Sequence, residues 1–363
     1  MKPENVNPLI LIAAGGTGGH IFPGLAVAEE LARRAPAIRV EFVGSTAPLG
    51  LERRIVPKAG LKLHLLPVLP LNTSSLTARL RGLALLPWGL FRAAGLLLKT
   101  RPSAVLGIGG YASGPLVLVA SLFRIPTMLL EPNAIPGFTN RKLAPFVRWA
   151  ACAFESTLSK FGDKGVLTGN PVRSSFRALP SRPHTKPLQL LCFGGSQGSR
   201  ILSEALVKAI PTLPGADALS IVHQTGAAQL ETLQQAYRTA GRDAVVVPFI
   251  DDMAGAFAAA DLVLCRAGAT TLAELTVAGK AAILVPLRSA ADDHQTWNAK
   301  ALADAGAAVM LPESDLGTLG AVVSALVADT ERLESLERRA RALGKADAAA
   351  RVADILDPWV KAA

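Results

Sequence analysis

The chain has 363 residues, of which half are apolar and 5% aromatic, and it carries a formal net charge of +10. This length exceeds what one ordinary hydrophobic core serves, so two domains are expected. No apolar run approaches the roughly 20 residues of a membrane-spanning helix. The first apolar stretch, Pro8–Ala14, leads directly into a glycine-rich turn, which predicts a first β-strand rather than a signal peptide.

Cysteine, histidine and acidic residues are arranged in a way that argues against a metal or disulfide framework. Cys152, Cys192 and Cys265 are odd in number, far apart and embedded in apolar segments. Buried free thiols in a reducing compartment are therefore expected. The sequence has no Asp-x-Asp and no His/Cys cluster with ligand spacing, so we expect no metal site and no cofactor.

The positive charge is concentrated in one acid-free segment. Between Arg53 and Leu130 there are ten Lys and Arg residues and no Asp or Glu. Within it, Leu71–Lys99 mixes leucines and Trp88 with arginines, a pattern typical of a helix that lies on an anionic membrane surface. A helix that buries its apolar side in the domain core explains the pattern equally well. Nucleic acid is a weaker alternative, because few aromatic residues are available for base stacking.

Short apolar runs alternate with helical patterns along the whole chain, which predicts parallel sheets covered by helices and hence an α/β fold. A proline-punctuated stretch, Pro171–Pro187, is the best domain boundary, and a second strand with a glycine-rich turn, Gly194–Gly198, follows it. Two similar domains that face a shared cleft are the economical arrangement. The predicted strands are Pro8–Ala14, Arg39–Val43, Ala104–Ile108, Thr127–Leu130, Gly165–Leu167, Leu188–Phe193, Ala218–Val222, Ala244–Pro248, Leu262–Cys265, Ala281–Val285 and Ala307–Met310.

The most informative segment is the turn Gly15–His20, between the first strand and a helix predicted over about Pro23–Arg34. Glycines allow close backbone approach to a ligand, and a helix N-terminus favours an anion. His20 adds a side chain able to transfer protons near neutral pH. The turn does not match the dinucleotide-binding fingerprint, because Ile21 stands where a small residue is required. A P-loop is also excluded, because no Gly-Lys-Ser/Thr follows either glycine-rich turn.

Three further segments follow predicted strands and have both structural and functional explanations. Thr271-x-x-Glu274 is explained by a helix capping box, and alternatively Glu274 binds sugar hydroxyls. The polar run Asp292–Asn298 suits sugar hydroxyls or is an ordinary solvated loop. Arg173 could pair with phosphate or lie on the surface beside the linker.

Taken in order, these motifs resemble one family over about residues 10–310. The motifs are Gly15–Gly24, Gly109–Pro115, Glu131–Asn133, Gly169–Arg173, Gly194–Gly198, His223–Gly226, Phe249–Met253, Arg266–Ala269 and Asp293–Ala299. The chain resembles the lipid-linked N-acetylglucosaminyltransferases of bacterial peptidoglycan synthesis. Pro132 and His294 stand where that family often has glutamine.

The resemblance implies a GT-B fold of two Rossmann-like domains and an inverting transfer that needs no metal. N-acetylglucosamine would pass from UDP-N-acetylglucosamine to the 4-hydroxyl of N-acetylmuramoyl-pentapeptide on undecaprenyl diphosphate. The resemblance also implies peripheral attachment to the anionic cytoplasmic face of the inner membrane. It allows for contact with other cell-wall synthesis proteins, and no nucleic-acid partner is expected. The implied domains are residues 1–171 for the acceptor and membrane, a linker at 172–187, and 188–343 for the donor. A C-terminal helix, predicted over about Leu343–Leu356 within the segment 344–363, would pack back on the first domain.

Carried over residue by residue, His20 matches the candidate catalytic base or a residue that positions the acceptor. The donor-binding positions are matched by Thr17, Gly18, Gly19, Asn133, Arg173, Ser196, Ile250, Ala269, Thr270, Thr271, Leu272, Ala273, Glu274 and Gln295. Among these, Ile250 would meet the uracil through its backbone, Glu274 the ribose and Gln295 the sugar hydroxyls.

Two other functions remain open from the sequence. A GT-B enzyme with a soluble substrate, such as a UDP-N-acetylglucosamine 2-epimerase, would not need the basic apolar segment Leu71–Lys99. A UDP-sugar-binding regulatory protein would bind the donor without transferring the sugar.

Overall fold

The computed structural model describes residues 7–47, 50–69, 75–177, 179–195 and 197–361. The chain divides into two compact units. The first comprises Met1–Arg173 and Lys345–Ala363, and the second comprises Ser174–Gly344.

Each unit is built on one parallel sheet. The first contains strands β1 (Leu9–Ala14), β2 (Arg39–Ser45), β3 (Lys62–Leu66), β4 (Ala104–Gly109), β5 (Thr127–Glu131), β6 (Trp149–Cys152) and β7 (Gly165–Leu167), in the order β3-β2-β1-β4-β5-β6-β7. The second contains β8 (Leu188–Phe193), β9 (Leu219–Gln224), β10 (Val245–Val247), β11 (Leu262–Cys265), β12 (Ala281–Leu284) and β13 (Val309–Met310), in the order β10-β9-β8-β11-β12-β13. The strand order reverses beside β1 in one sheet and beside β8 in the other, and ligands of such sheets bind at the carboxyl ends there.

Helices connect the strands. They are α1 (Gly18–Arg34), α2 (Glu52–Lys58), α3 (Leu76–Thr100), α4 (Ser113–Leu122), α5 (Phe138–Leu143), α6 (Glu155–Phe161), α7 (Arg200–Ala209), α8 (Leu230–Thr239), α9 (Met253–Ala259), α10 (Ala269–Ala278), α11 (His294–Asp304), α12 (Leu319–Ala328), α13 (Thr330–Leu343) and α14 (Ala348–Lys361).

The central strands are buried on both faces, as parallel strands between helical layers must be. Every residue of β1 is buried, and so is every residue of β4. The last helix, α14, packs against α1 and adds four residues to the core of the first unit: Val352, Ala353, Leu356 and Val360. Arg34 of α1 bonds Asp354 of α14 at 2.6 Å.

The structure confirms the α/β fold of two Rossmann-like parallel-sheet units. The predicted strands are present with bounds close to those expected, and the three cysteines are buried and free. Strands β3 and β6 were not predicted. The first is an edge strand that alternates lysine and histidine with leucine, and the second has four residues.

Two predicted helix bounds are wrong. Helix α1 begins at Gly18, inside the glycine run, and not at Pro23, so Pro23 lies in the second turn. The backbone of Thr17 is extended (φ −129°, ψ 159°), and this residue is the N-cap. The last helix begins at Ala348 and ends at Lys361, later than the expected 343–356, because α13 extends to Leu343.

Helix α3 bears on the two explanations of the basic apolar segment, contact with a membrane surface and burial in the domain core. Among the described residues, one helix, Arg79–Thr100, is long and apolar enough to cross a membrane, judged by length and composition only. Of its apolar window, 22% is buried. Ala93 and Leu97 are buried, whereas Leu80, Trp88 and Phe91 are about half exposed or more. The apolar side of this helix is therefore mostly uncovered, and burial in the core does not explain it. Residues 71–74 of the predicted segment lie outside the described residues.

Candidate functional site

The first glycine-rich turn places His20 at the carboxyl end of β1. The His20 Nδ1 atom lies 3.2 Å from the carbonyl oxygen of Gly15 and 3.5 Å from Thr17 Oγ1. A carbonyl oxygen can only accept, so this contact needs a hydrogen on Nδ1 and leaves the lone pair on Nε2. Gly109 gives the ring its space, because a Cβ there would lie 2.9 Å from Nε2. The arrangement suits His20 to take up a proton at Nε2.

Arg173 lies beside the same turn. Its guanidinium carbon is 4.6 Å from the centre of the Phe22 ring. That ring packs so closely on Gly18 that a Cβ at Gly18 would lie 2.9 Å from it. The first unit therefore brings the Arg173 guanidinium close to the N-terminus of α1. The guanidinium and the helix N-terminus each favour a bound anion. Gly19 follows Gly18 in the first turn of this helix.

Asn133 lies at the carboxyl end of β5 and is held by Glu131. One carboxylate oxygen of Glu131 accepts from the Asn133 backbone N–H at 3.0 Å and from its side-chain nitrogen at 3.2 Å. The other accepts from Gly137 N–H and from Asn140 Nδ2. Burial raises the pKa of the Glu131 carboxyl above its ordinary value, and these donors oppose that rise. Glu131 orders the loop that carries Asn133, a role that its sequence context did not indicate.

The second glycine-rich turn follows β8. Gly195 and Gly198 have φ of +94° and +74°, which side chains rarely adopt. A Cβ at Gly198 would overlap the Thr225 carbonyl. The turn leads into α7, whose N-cap Ser199 accepts from Leu202 N–H. Ser196, predicted to bind the donor, lies outside the described residues.

Gln224 connects this turn with the segment that carries Ile250. Its Nε2 donates to the Gly195 carbonyl at 2.8 Å, and its Oε1 accepts from the Ile250 N–H at 3.0 Å. The Ile250 N–H is thus engaged, and the carbonyl is the backbone group through which Ile250 could meet a base. In the sequence, only its place in the family motif His223–Gly226 pointed to a functional role for Gln224.

The capping-box prediction for Thr271 and Glu274 is wrong. Helix α10 begins at Ala269 with Gly268 as its N-cap, so Thr271 is the third helical residue. Glu274 lies in the second turn and is buried. The segment from Ala269 through Thr270, Leu272 and Ala273 to Glu274 thus forms the start of a helix that follows the carboxyl end of β11.

Gln295 lies in the first turn of α11 and holds the chain that leaves β12. Its Oε1 accepts from the Leu287 N–H at 3.0 Å. Three residues later, Asn298 is buried and donates to the Ala267 carbonyl at 3.2 Å. The two side chains therefore tie α11 to the loops that follow β11 and β12. Gln295 keeps its amide N–H groups as potential donors.

In the second unit, the described donor-binding candidates follow three strands of one sheet: Ile250 after β10, Ala269–Glu274 after β11 and Gln295 after β12. In the first unit, His20 and Asn133 follow β1 and β5. Among the described residues there is no group of three or more His, Cys, Asp or Glu that could hold a metal ion.

Two Rossmann-like parallel-sheet units, each with a glycine-rich turn after its central strand, have the architecture of the GT-B fold. Residues 10–152 match the glycosyltransferase family 28 N-terminal domain, and residues 189–352 match the glycosyltransferase family 28 C-terminal domain. The chain belongs to glycosyltransferase family 28.

Named relatives support this assignment over nearly the whole chain. The UDP-N-acetylglucosamine--N-acetylmuramyl-(pentapeptide) pyrophosphoryl-undecaprenol N-acetylglucosamine transferase of Anaeromyxobacter sp. (strain Fw109-5) is 48% identical over 359 residues, which cover 97% of this chain and 93% of the relative. The protein of the same name from Myxococcus xanthus (strain DK1622) is 46% identical, with coverages of 95% and 91%. The crystal structure of Acinetobacter baumannii MurG has a TM-score of 0.77 and 33% identity, and the match covers 97% of this chain and 99% of that one.

Proposed function

We propose that this chain transfers N-acetylglucosamine from UDP-N-acetylglucosamine to the 4-hydroxyl of undecaprenyl-diphosphate-linked N-acetylmuramoyl-pentapeptide. The observation that carries the proposal is the 48% identity, over 97% of the chain, to a relative named for this transfer. The turn geometry in both units is consistent with it.

The second unit is the proposed donor-binding domain. The Ile250 carbonyl would accept from the N3–H of uracil, and Glu274 would accept from the ribose hydroxyls. Ser196 and the N-termini of α7 and α10 would face the diphosphate. The amide of Gln295 would donate to sugar hydroxyls. Leu272 and Ala273 contribute backbone to the same helical turn.

The first unit supplies the proposed base. His20 Nε2 would take the proton of the acceptor 4-hydroxyl as its oxygen bonds to C1 of the donor sugar. The bond between C1 and the diphosphate oxygen breaks, and UDP leaves with the electron pair, so the anomeric configuration inverts. Arg173 and helix N-termini would stabilise the negative charge on the departing diphosphate without a metal ion. Thr17, Gly18, Gly19 and Asn133 would shape the surface on which the sugar reacts.

A transfer assay tests the function. Purified protein is incubated with donor labelled in the sugar and with the lipid-linked acceptor, and the lipid product is extracted. Label in a lipid-linked disaccharide is expected. Conversion of the donor to its 2-epimer without acceptor would identify an epimerase instead, and binding of donor with neither reaction would identify a regulatory protein.

Peripheral attachment to the cytoplasmic face of the inner membrane is part of the proposal, and α3 is its basis. Trp88 and Phe91 stack at 5.3 Å on the exposed side of this helix, and the Arg92 guanidinium lies 5.9 Å from the Trp88 ring. Exposed apolar rings flanked by arginine suit the boundary between lipid headgroups and acyl chains.

Sedimentation with anionic liposomes tests the attachment. The triple variant with Arg79, Arg81 and Arg92 changed to Glu should stay in the supernatant. A control with Arg200, Arg238 and Arg332 of the second unit changed to Glu alters the net charge equally and should sediment as the unchanged protein does. Equal loss in both would show that net charge, and not this surface, governs binding.

A further inference from the structure

Beneath the first glycine-rich turn lies a carboxyl group that the proposed chemistry does not yet use. Glu52, the first residue of α2, is fully buried. One of its oxygens accepts from the Gly16 N–H at 3.0 Å, and the other accepts from Ser45 N–H and Ser45 Oγ at 3.1 and 3.3 Å. All three partners are donors, as an ionised carboxylate requires.

Three glycines from separate segments make room for this side chain. A Cβ at Gly15, at Gly44 or at Gly50 would lie 2.9, 2.6 or 2.7 Å from atoms of Glu52. Real side chains cannot approach so closely. Glycine at these three positions therefore leaves the space that the Glu52 side chain occupies.

Glu52 and His20 bind opposite sides of one peptide group. The peptide that joins Gly15 to Gly16 directs its N–H to Glu52 Oε2 and its carbonyl oxygen to His20 Nδ1, at 3.0 and 3.2 Å. In a trans peptide these two groups point in opposite directions, so a single planar unit spans the distance between carboxylate and imidazole.

We propose that Glu52 is a positioning residue for His20, acting through the Gly15–Gly16 peptide in the way that a carboxylate bound directly to an imidazole would act. A negative acceptor on the peptide N–H polarises the amide and makes its carbonyl oxygen a stronger acceptor. That carbonyl holds the hydrogen on Nδ1, keeps the lone pair on Nε2 and stabilises the imidazolium formed when Nε2 takes a proton. The inference rests on the proposed role of His20 as the base.

Among the described residues, Tyr111 and Arg173 also bring titratable or charged groups near this turn. The Tyr111 ring, in the loop after β4, lies 3.7 Å from the position of a Cβ at Gly16. Arg173 lies over Phe22, and a positive charge close to His20 would disfavour the imidazolium. The Glu52 carboxylate bonds the turn itself through the Gly16 N–H, and its negative charge has the opposite effect on the imidazolium.

The pH dependence of kcat/KM for sugar transfer tests this role in the full-length protein. In Glu52→Gln the acidic limb should move to lower pH by about one unit, because His20 loses a stabilising negative charge. The value of kcat at neutral pH should fall about tenfold, as for a weaker and less oriented base, while KM for the donor stays unchanged. The matched control is Glu41→Gln, which removes a buried carboxylate of β2 that bonds His64 and Lys62 instead. In Glu41→Gln, the acidic limb of the pH profile of kcat/KM should stay where it is in the unchanged protein.

An acidic limb that stays in place in Glu52→Gln while activity falls would show a purely structural role and overturn the proposal. A second measurement needs no variant at residue 52. With nitrogen-15 in the histidine rings, NMR of the unchanged protein should show the Nδ1–H tautomer for His20, assigned by the absence of its signals in His20→Ala. A dominant Nε2–H tautomer would overturn the proposal even if Glu52→Gln does not fold. Absence of sugar transfer by the unchanged protein would contradict the proposed function, whereas the tautomer measurement does not depend on sugar transfer and would still show whether His20 donates from Nδ1 to the Gly15 carbonyl.

Discussion

Arg266 donates from Nε and Nη2 to the hydroxyl oxygen of Ser199, at 3.1 and 2.9 Å. The same guanidinium donates to the carbonyls of Val285 and Pro286 and pairs with Glu313 at 2.7 Å. One buried side chain therefore connects the start of α7 with the chain segments that follow β11 and β12. The relative placement of the proposed donor contacts depends on it.

Replacing Arg266 with Leu should lower the free energy of unfolding by about 3 kcal/mol, because Glu313 loses its partner in a largely buried position. Urea denaturation measures the loss. Changing Glu313 to Leu as well should recover part of it. The control is Arg338→Leu, whose pair with Glu334 is exposed, and it should cost less than about 1 kcal/mol. Equal losses in both single variants would contradict this explanation.

His20→Ala should lose about 10²–10⁴-fold in kcat, the usual contribution of a general base. Affinity for UDP, measured by calorimetry, should remain, because the proposed donor contacts are in the second unit. His64→Ala, on the edge strand β3, serves as the control for removal of a histidine from the same sheet. Loss of UDP affinity without a loss of turnover would give His20 a binding role instead.

Glu274→Gln should weaken UDP binding about 10–100-fold if the carboxylate accepts from ribose hydroxyls, since charged hydrogen bonds are the stronger ones. Binding of 2′,3′-dideoxy-UDP should be the same in the variant and the unchanged protein. Calorimetry with both nucleotides makes the comparison, and Glu231→Gln on α8 is the control. A loss that is equal for the two nucleotides would place Glu274 away from the ribose.

Stability should fall as the pH is lowered through the range set by His223. This residue is buried between Ser203 and Tyr237, at 3.1 and 3.0 Å, and burial lowers the pKa of its ring to about 4. Unfolding restores the ordinary value of about 6.5, so the unfolded chain binds more protons between the two. The contribution of neutral His223 is complete above about pH 6.5 and is lost as the pH approaches 4, by up to about 3 kcal/mol.

Urea denaturation at several pH values should show that the free energy of unfolding of the unchanged protein falls between about pH 6.5 and pH 4. The slope of this free energy against pH should be smaller in His223→Gln. The glutamine keeps a donor and an acceptor but does not titrate. An unchanged slope in the variant would assign the acid sensitivity to other groups.

Sugar transfer should persist after treatment with EDTA, because the proposed stabilisation of the leaving diphosphate comes from helix N-termini and Arg173. The assay is run on dialysed enzyme with and without added magnesium. Activity that is abolished by EDTA and restored by magnesium would contradict the metal-independent mechanism.

The sequence predicted the elements whose signals are local. Apolar runs such as Leu262–Cys265, and Leu188–Phe193 with its one glutamine, were predicted at their observed bounds, because central strands covered by helices on both faces are rich in apolar residues. The start of α1 was predicted near Pro23, yet Thr17 is the N-cap and the helix begins at Gly18, inside the glycine run. Glycine turns at strand ends were predicted because their residue types permit few other structures.

Long-range contacts could not be predicted in this way. Gly16 and Glu52 are 36 residues apart, and Gln224 and Ile250 are 26 apart. Nothing in the spacing of Gly15, Gly44 and Gly50 marks them as neighbours until the sheet brings the ends of β1 and β2 together. The contacts that organise the candidate site therefore became visible in the structure.

The position of α14 also has a consequence for biosynthesis. Its four core residues, Val352 through Val360, belong to the first unit but are the last part of that unit to leave the ribosome. Until then the emerging N-terminal segment exposes the apolar surface of α1 and cannot complete its core. The second unit, continuous from Ser174 to Gly344, meets no such delay. The unit that is translated first is thus the unit whose core sequence is completed last.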